Sequence, residues 1–255
     1  MDKPVIFEHP LNERVRTMLR LEHLFSQARH YMAGNSSWDS RVFITTLMNI
    51  LDIFARGDLK TEIIKEVERA TNNLKRLMEY PSVDHERLKT ILRALDHVYN
   101  GMHGLNSQLG QTLRDDEFLA SIRQRTSIPG GTCDFDLPAY HQWLQRPLEQ
   151  RAQTQGEWFA SLEAARQAVE LVLKLIRNSA EPVEQLAEAG AYQQPLDPNL
   201  PFQLIRIQLP AGSGCYPEVS GGRHRFTIRF LGAGENSRPS QISTNLPFLV
   251  TCCNL

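Results

Sequence analysis

The sequence predicts an α+β protein, with an N-terminal, mainly α-helical domain followed by a small antiparallel β-sheet domain. Two observations carry this prediction. Apolar residues recur at helical spacing through the first two thirds of the 255 residues, as at Ile63, Val67, Ala70 and Leu74. From about residue 202 the period of the apolar residues changes from 3.6 to 2, which is typical of half-buried strands.

Taken in order, the apolar stripes and the turn residues between them predict the helices. The predicted helices cover 11–32, 39–55, 61–80, 84–99, 115–126, 137–145 and 157–180. Asp58 and Asp84 are expected to cap two of them, and turn clusters at 33–37, 80–84 and 127–136 separate them. One apolar stripe on each helix is the pattern of a helical bundle.

The C-terminal part predicts strands at 202–209, 215–220, 223–231 and 246–253, arranged as an antiparallel meander. The strand at 215–220 is expected at a sheet edge or a bulge, because it contains Pro217 and proline cannot donate a backbone hydrogen bond to a neighbouring strand. An N-terminal strand at 4–9 is expected to join this sheet. The predicted domains are therefore 11–180 (helical) and 200–255 with 3–9 (β), and the Pro- and Gly-rich segment 181–199 is predicted to be a linker or long loop.

Composition places the chain among cytosolic proteins. Net charge is −1, and no apolar run approaches the roughly 20 residues that span a bilayer. The N-terminus has no basic segment followed by an apolar one, so no signal peptide is expected. Cys133 and Cys215 are isolated, and Cys252 and Cys253 are adjacent. Four reduced thiols are expected, in preference to a redox switch at the adjacent pair.

No enzyme motif is present in the sequence. It contains no GxGxxG, GxxxxGK[ST], GxSxG or HExxH, and the eight histidines include no i, i+4 pair. We therefore expect no catalytic residues, no metal site and no cofactor. His141, in a short helix with Pro138 in its first turn, is interpreted either as a histidine at the rim of the core or as a polar group near a binding groove.

A row of arginines is the most unusual feature of the predicted β domain. In "RHRFTIRF" the alternation places Arg223, Arg225 and Arg229 on one face, with Phe226 and Phe230 on the opposite, core-facing side. Like charges about 7 Å apart in water repel by only about 0.6 kcal/mol, so a merely solvated face is a real alternative. Residues 201–255 contain five arginines, two glutamates and no lysine.

Arginine forks onto carboxylates and phosphates, so the partner of this face is either an acidic peptide or a nucleic acid. Nucleic-acid binders usually combine lysines with exposed aromatic side chains, whereas the aromatic residues of this strand are predicted to face the core. We therefore favour an acidic peptide and keep nucleic-acid binding through the 223–229 strand as the alternative. A hydrolase or transferase with an unrecognised site is the least supported class.

Several long blocks of the chain are distinctive: "IFEHPLNERVRTMLRLEHL", "FARGDLKTEIIKEVER", "RQRTSIPGGTCDFDLPAYHQWL", "YPEVSGGRHRFTIRF" and the closing "CC". Together they resemble the Z-ring-associated protein D (ZapD) family of bacterial cell division proteins. The resemblance implies a non-enzymatic cytoplasmic homodimer at midcell. Such a protein binds the C-terminal tail of the tubulin-like protein FtsZ and bundles FtsZ filaments, with no nucleic-acid partner and no membrane insertion.

The resemblance also implies which residues meet the partner: Arg225 and Arg229 in "RFTIRF", Arg56 in "FARG", Arg20 in "TMLRLE" and His141 in "AYHQW". Arg223 joins this set from the alternation of the strand alone. One arginine-lined groove in each protomer would make the dimer a bivalent clamp for two tails.

Overall fold

A computed structural model describes residues 3–55, 57–81, 83–233 and 238–255. The chain divides into two compact units. A helical unit spans Thr17–Val172, and a β unit combines the residues up to Arg16 with those from Leu173 onward. Among the described helices, none is long and apolar enough to cross a membrane. The α+β class predicted from the sequence is confirmed.

Most of the described helices belong to the helical unit. They are α1 (Glu13–Met32), α2 (Ser37–Phe54), α3 (Leu59–Leu77), α4 (His85–His103), α5 (Gln111–Arg114), α6 (Glu117–Thr126), α7 (Pro138–Leu144), α8 (Leu148–Ala160) and α9 (Glu163–Arg177). The core of the unit contains a cluster of phenylalanine rings. Phe159 lies edge-on to Phe25 and Phe43, with ring centroids 6.5 and 6.4 Å apart.

Helix boundaries depend on local capping that the sequence predicted only in part. Asp84 caps α4 as expected, since its carboxylate accepts the Arg87 N–H at 3.0 Å, whereas Asp58 makes no such bond to α3. The single helix predicted over 157–180 is wrong, because the chain breaks between α8 and α9. The Ser161 hydroxyl donates to the Trp158 carbonyl at 2.6 Å, a side-chain bond that competes with continued helix.

The β unit contains two antiparallel sheets rather than the predicted meander. Sheet A has the order β1 (Val5–Pro10), β4 (Phe202–Leu209), β8 (Leu246–Asn254), β2 (Val183–Ala187). Sheet B has the order β3 (Ala191–Pro195), β6 (Arg225–Gly232), β5 (Cys215–Gly221), with the short β7 (Ser240–Gln241) also paired to β6. The N-terminal strand β1 joins β4, as predicted, and β5 with Pro217 lies at a sheet edge.

The segment 181–199, expected to be a linker or long loop, contains strands β2 and β3. Its prolines and glycine lie where strands tolerate them, because β2 and β3 are sheet edges and Pro195 ends β3. The turn between them requires glycine. Gly190 has φ of 72°, and a Cβ there would lie 2.5 Å from the carbonyl oxygen of Ile242.

One apolar core lies between the inner faces of the two sheets. Phe226, Ile228 and Phe230 of β6 are fully buried, and the Phe230 ring lies 5.0 Å from that of Phe248 on β8. The other residues of this core come from β2, β4, β8 and the loop after β3: Ala187, Leu196, Ile205, Ile207, Leu209 and Val250. Burial of several large side chains at about 1.5–3 kcal/mol each holds β6 in place.

The opposite face of sheet A carries a half-buried ionic cluster. Glu8 and Arg206 are direct cross-strand partners on β1 and β4, and their Oε1 and Nε atoms lie 2.9 Å apart. Arg177, in the last turn of α9, donates to both Glu8 carboxylate oxygens at 2.8 Å. Burial alone would raise the pKa of Glu8, but the hydrogen bonds and charges of the two arginines outweigh it and hold that pKa below its ordinary value.

Candidate partner-binding surface

Strand β6 has one apolar and one polar face, as its sequence predicts. Its residues alternate strictly between exposed or half-buried and fully buried along Arg225–Gly232. We call the outward side chains Arg225, Thr227 and Arg229 the arginine face. Because the buried side chains alternate with them, a shift of one residue in register would turn three apolar groups to water, and this fixes which residues face outward.

Arg229 forms a cross-strand ion pair on this face. It lies directly opposite Glu218 of β5, and its Nη2 atom is 3.0 Å from Glu218 Oε2. The two side chains are 59% and 51% exposed, so the pair is worth about 0–1 kcal/mol. An incoming carboxylate can therefore replace Glu218 at little cost.

Arg225 is the more available of the two cations. It is exposed at the start of β6, opposite Pro195 of β3, and its carbonyl accepts the Gly222 N–H at 3.0 Å. Within the described part of the chain, no carboxylate lies within ion-pair distance of Arg225.

Arg223 does not lie on the strand. The strand predicted over 223–231 begins two residues later, at Arg225, and Arg223 lies in the turn between β5 and β6. The turn starts here because Gly222 closes it by bonding back to Arg225. Two of the three arginines in the predicted row therefore lie on the strand, and the third, Arg223, lies beside it. Arg223 is exposed and lines an open cavity of about 350 Å³.

The remaining predicted contacts belong to the helical unit. Arg20 is exposed on α1, and His141 is exposed on α7 between the buried Tyr140 and Trp143. An exposed side chain next to two buried aromatic residues is compatible with both interpretations of His141, the rim of the core and a polar group near a binding groove. Arg56 lies outside the described residues. The convergence of Arg20, Arg56 and His141 with the arginine face stays a prediction.

Thiol and metal chemistry receive no support from the described residues. They contain no group of three or more His, Cys, Asp or Glu side chains that could hold a metal ion. All four cysteines are free thiols. Burial raises the pKa of both Cys252 and Cys253 to about 11, so the reactive thiolate is scarce at neutral pH.

The partner of Arg229, Glu218, was not identified from the sequence, although a signal for it exists. Once "SGGRHRF" is recognised as a hairpin turn with Gly221 opposite Phe226, counting back along both strands places Glu218 opposite Arg229. The same count places Tyr216 opposite Leu231 on the outer face, where it is 39% exposed.

Comparison with known proteins matches the chain to one family and to full-length relatives. The family model described as ZapD, cell division protein, matches residues 19–229. The chain is 39% identical over 255 residues to a cell division protein ZapD of Methylococcus capsulatus, covering 100% of both chains. It is 36% identical over 254 residues to the ZapD of Aromatoleum aromaticum, covering 99% of each.

The fold and these matches define a non-enzymatic, Z-ring-associated protein of cell division. Both relatives match from end to end, and the family model covers most of the chain. The chain belongs to the ZapD cell division protein family.

Proposed function

We propose that this protein binds the acidic C-terminal tail of FtsZ through its arginine face. As a cytoplasmic homodimer at midcell, it cross-links FtsZ filaments and stabilises the Z-ring. The observation that carries the proposal is the pairing of two exposed arginines, Arg225 and Arg229, with a fully buried apolar face on the same strand. The buried face fixes the backbone of the strand, so only the two arginine side chains have to be ordered when a partner binds.

The chemistry of the face supports a carboxylate-bearing partner. Each charge-assisted hydrogen bond from arginine to a carboxylate contributes about 1.5–3 kcal/mol. Arg225 has no carboxylate neighbour among the described residues, and the exposed pair of Arg229 with Glu218 exchanges readily. Arg225 and Arg229 lie four residues apart along one strand, roughly 13 Å at about 3.3 Å per residue, so they match carboxylates four residues apart on an extended peptide.

Nucleic acid is the second candidate partner, and the same surface makes it weaker. Residues 201–255 contain no lysine, and Phe226 and Phe230 of β6 are fully buried, so the face lacks the lysines and the row of exposed aromatic side chains that nucleic-acid binders usually combine. Tyr216 on the outer face of β5 is an exposed aromatic side chain on which a base could stack, and this is the observation that favours nucleic acid. Titration with DNA and RNA at physiological salt separates the two partners, since tight binding with a steep salt dependence would favour nucleic acid.

The proposed cross-linking follows from the number of tail-binding faces in a dimer. A homodimer with one tail-binding face in each protomer holds two tails, and once the first has bound, the effective concentration of the second raises the overall affinity. An isologous dimer relates its two faces by a two-fold axis, which suits filaments in opposed orientations. Weak single contacts are then sufficient for bundling.

Binding of a fluorescent FtsZ tail peptide, measured by anisotropy, tests the proposal. We expect Arg225→Glu to weaken binding at least about tenfold, because it removes a charge-assisted bond and adds a repulsive charge. Arg229→Gln is preferred to a glutamate at that position, which would face Glu218 across the strands. Arg238→Glu is the matched control, since Arg238 is exposed in the β unit but lies outside the arginine face.

Sedimentation of FtsZ polymers measures how well the same variants bundle filaments. Analytical ultracentrifugation measures whether each variant is still a dimer. Arg225→Glu should lose bundling and remain dimeric, with an unchanged thermal transition. Equal tail affinity for the wild type, Arg225→Glu and Arg238→Glu would refute the proposed role of the arginine face. A wild-type protein that binds no tail would refute the function itself.

A further inference from the structure

A second feature of the β unit lies beside the arginine face. The chain after β1, the loop from β3 to β4 and the turn from β5 to β6 meet at one end of the two sheets and enclose an open cavity of about 350 Å³. We call it the end groove; its lining residues are Leu11, Leu196, Pro198, Asn199, Leu200, Pro201, Phe202, Gly222 and Arg223. This volume lies at the lower end of the range of about 300–1,000 Å³ for ligand sites, so it suits a few side chains.

The end groove has polar walls, which include Asn199 and Arg223, and apolar walls of leucine, proline and phenylalanine side chains that are not all buried. Leu196 is 4% exposed and belongs to the core between the sheets, whereas Leu200 remains 46% exposed. Leu11 and Phe202 are half-buried. Nearly half of the Leu200 surface is in contact with water. A partner that covers it stabilises the complex by about 25 cal/mol for each Å² of apolar surface buried.

Hydrogen bonds hold the groove in shape without a ligand. The Leu196 N–H donates to the His224 carbonyl at 2.8 Å, which ties the loop to the turn that carries Arg223. The Leu11 N–H donates to the Gln203 carbonyl at 2.9 Å on the opposite wall. Pro198 and Pro201 restrict the loop between these points. A partner therefore meets a preformed groove and spends little free energy on ordering it.

Charge gives the groove a preference for the kind of peptide it accepts. Arg223 lies in its lining, and Arg225 follows two residues later at the start of β6. None of the lining residues is acidic. Asp197 in the same loop is not part of the lining, and its carboxylate accepts both the backbone and the side-chain N–H of Asn199 at 2.9 and 3.0 Å.

We propose that the end groove is an apolar anchor site for the peptide that the arginine face recognises. An acidic peptide would insert an aliphatic or aromatic side chain between Leu200 and Phe202, while its flanking carboxylates meet Arg223 and Arg225. This inference rests on the proposed function and adds a specificity to it. Charge alone would accept any acidic segment, whereas the groove selects segments that carry an apolar residue beside the acids.

Two substitutions test the anchor site without changing its charge. A Cβ at Gly222 would meet no atom within 4 Å, so Gly222→Leu is expected to fold and to obstruct the groove. Leu200→Ser removes an apolar wall from an exposed loop. Gly156→Leu is the matched control, because a Cβ at Gly156 in α8 likewise has open space and lies in the helical unit.

Anisotropy with the FtsZ tail peptide is measured at low and high salt. Gly222→Leu and Leu200→Ser should each weaken binding about tenfold. This factor should be nearly the same at low and high salt, since the lost contact is apolar. The effect of Arg225→Glu should shrink at high salt because the lost contact is ionic. A tail peptide whose apolar residues are replaced by serine should bind the wild type as weakly as the unmodified peptide binds Gly222→Leu.

The outcomes separate this inference from the proposed function. If Arg225→Glu weakens tail binding but Gly222→Leu and Leu200→Ser bind like the wild type, the anchor site is refuted and the function stands. If the wild-type protein binds no tail, the function itself fails. Thermal transitions and circular dichroism of both variants report folding, and because the two substitutions change different walls of the groove, one folded variant suffices for the test.

Discussion

The Glu8 cluster provides the sharpest test of how the β unit is held together. Glu8→Gln keeps the size of the side chain but removes the charge that faces Arg177 and Arg206. Both guanidinium groups would then lose the carboxylate that they share while remaining about three-quarters buried. Loss of one partner from a fully buried ion pair costs about 3–5 kcal/mol. Glu8, Arg177 and Arg206 retain 18%, 22% and 24% exposure, so we expect about 2–3 kcal/mol.

The expected loss depends on pH with a definite sign. The pKa of Glu8 in the folded protein lies below its ordinary value of 4.5, so the unfolded chain binds its proton first as the pH falls. The stabilisation is therefore complete above pH 4.5 and is lost as the pH falls through the folded-state pKa. The difference between the wild type and Glu8→Gln should be largest at neutral pH and should shrink in acid.

Urea unfolding followed by circular dichroism, at neutral pH and at several acidic values, measures this difference. Glu184→Gln is the control, because Glu184 is an exposed carboxylate on β2 of the same sheet. Equal free energies of unfolding for the wild type and Glu8→Gln at neutral pH would refute the reasoning. A difference that does not change between neutral and acidic pH would refute it as well.

Two further predictions concern the backbone and the thiols. Gly190→Ala should lower the free energy of unfolding by more than about 1 kcal/mol, because φ is 72° and the new Cβ would lie 2.5 Å from the Ile242 carbonyl oxygen; a change within a few tenths of a kcal/mol would contradict this. Cys253, which is fully buried and has a pKa of about 11, should react with Ellman's reagent at pH 8 only after unfolding. Rapid modification of all four thiols in the native protein would show that this strand opens.

The sequence predicted best where one physical effect dominates. The alternation in "RFTIRF" predicted both faces of β6, since three apolar groups on one side leave only one register that buries them. The stripe through Ile63, Val67 and Ala70 predicted the buried face of α3 for the same reason. Burial of a large apolar surface overrides weaker local preferences.

The sequence predicted less well where several small effects compete or where partners are distant. Strands β2 and β3 are short edge strands with mostly exposed residues, so apolar and polar residues alternate only weakly along them. The prolines and Gly190 of this segment therefore led to the prediction of a loop. Nothing local distinguishes a meander from two sheets, because β4 pairs with β8, which follows it by about 40–50 positions, and skips β5 and β6 of the other sheet. The position of Arg223 depended on where one glycine turn begins, a boundary that alternation alone does not reveal.

The pairing of β1 with β4 has a consequence for synthesis of the chain. Val5 pairs with Leu209 and Pro10 with Leu204, so β1 emerges from the ribosome long before its only described strand neighbour. The helical unit between them has its own phenylalanine core and can fold while β1 is still an unpaired strand. Closure of sheet A is therefore a late, slow step, and a ribosome that stalls before residue 204 would release a chain whose first strand is free to pair with another molecule.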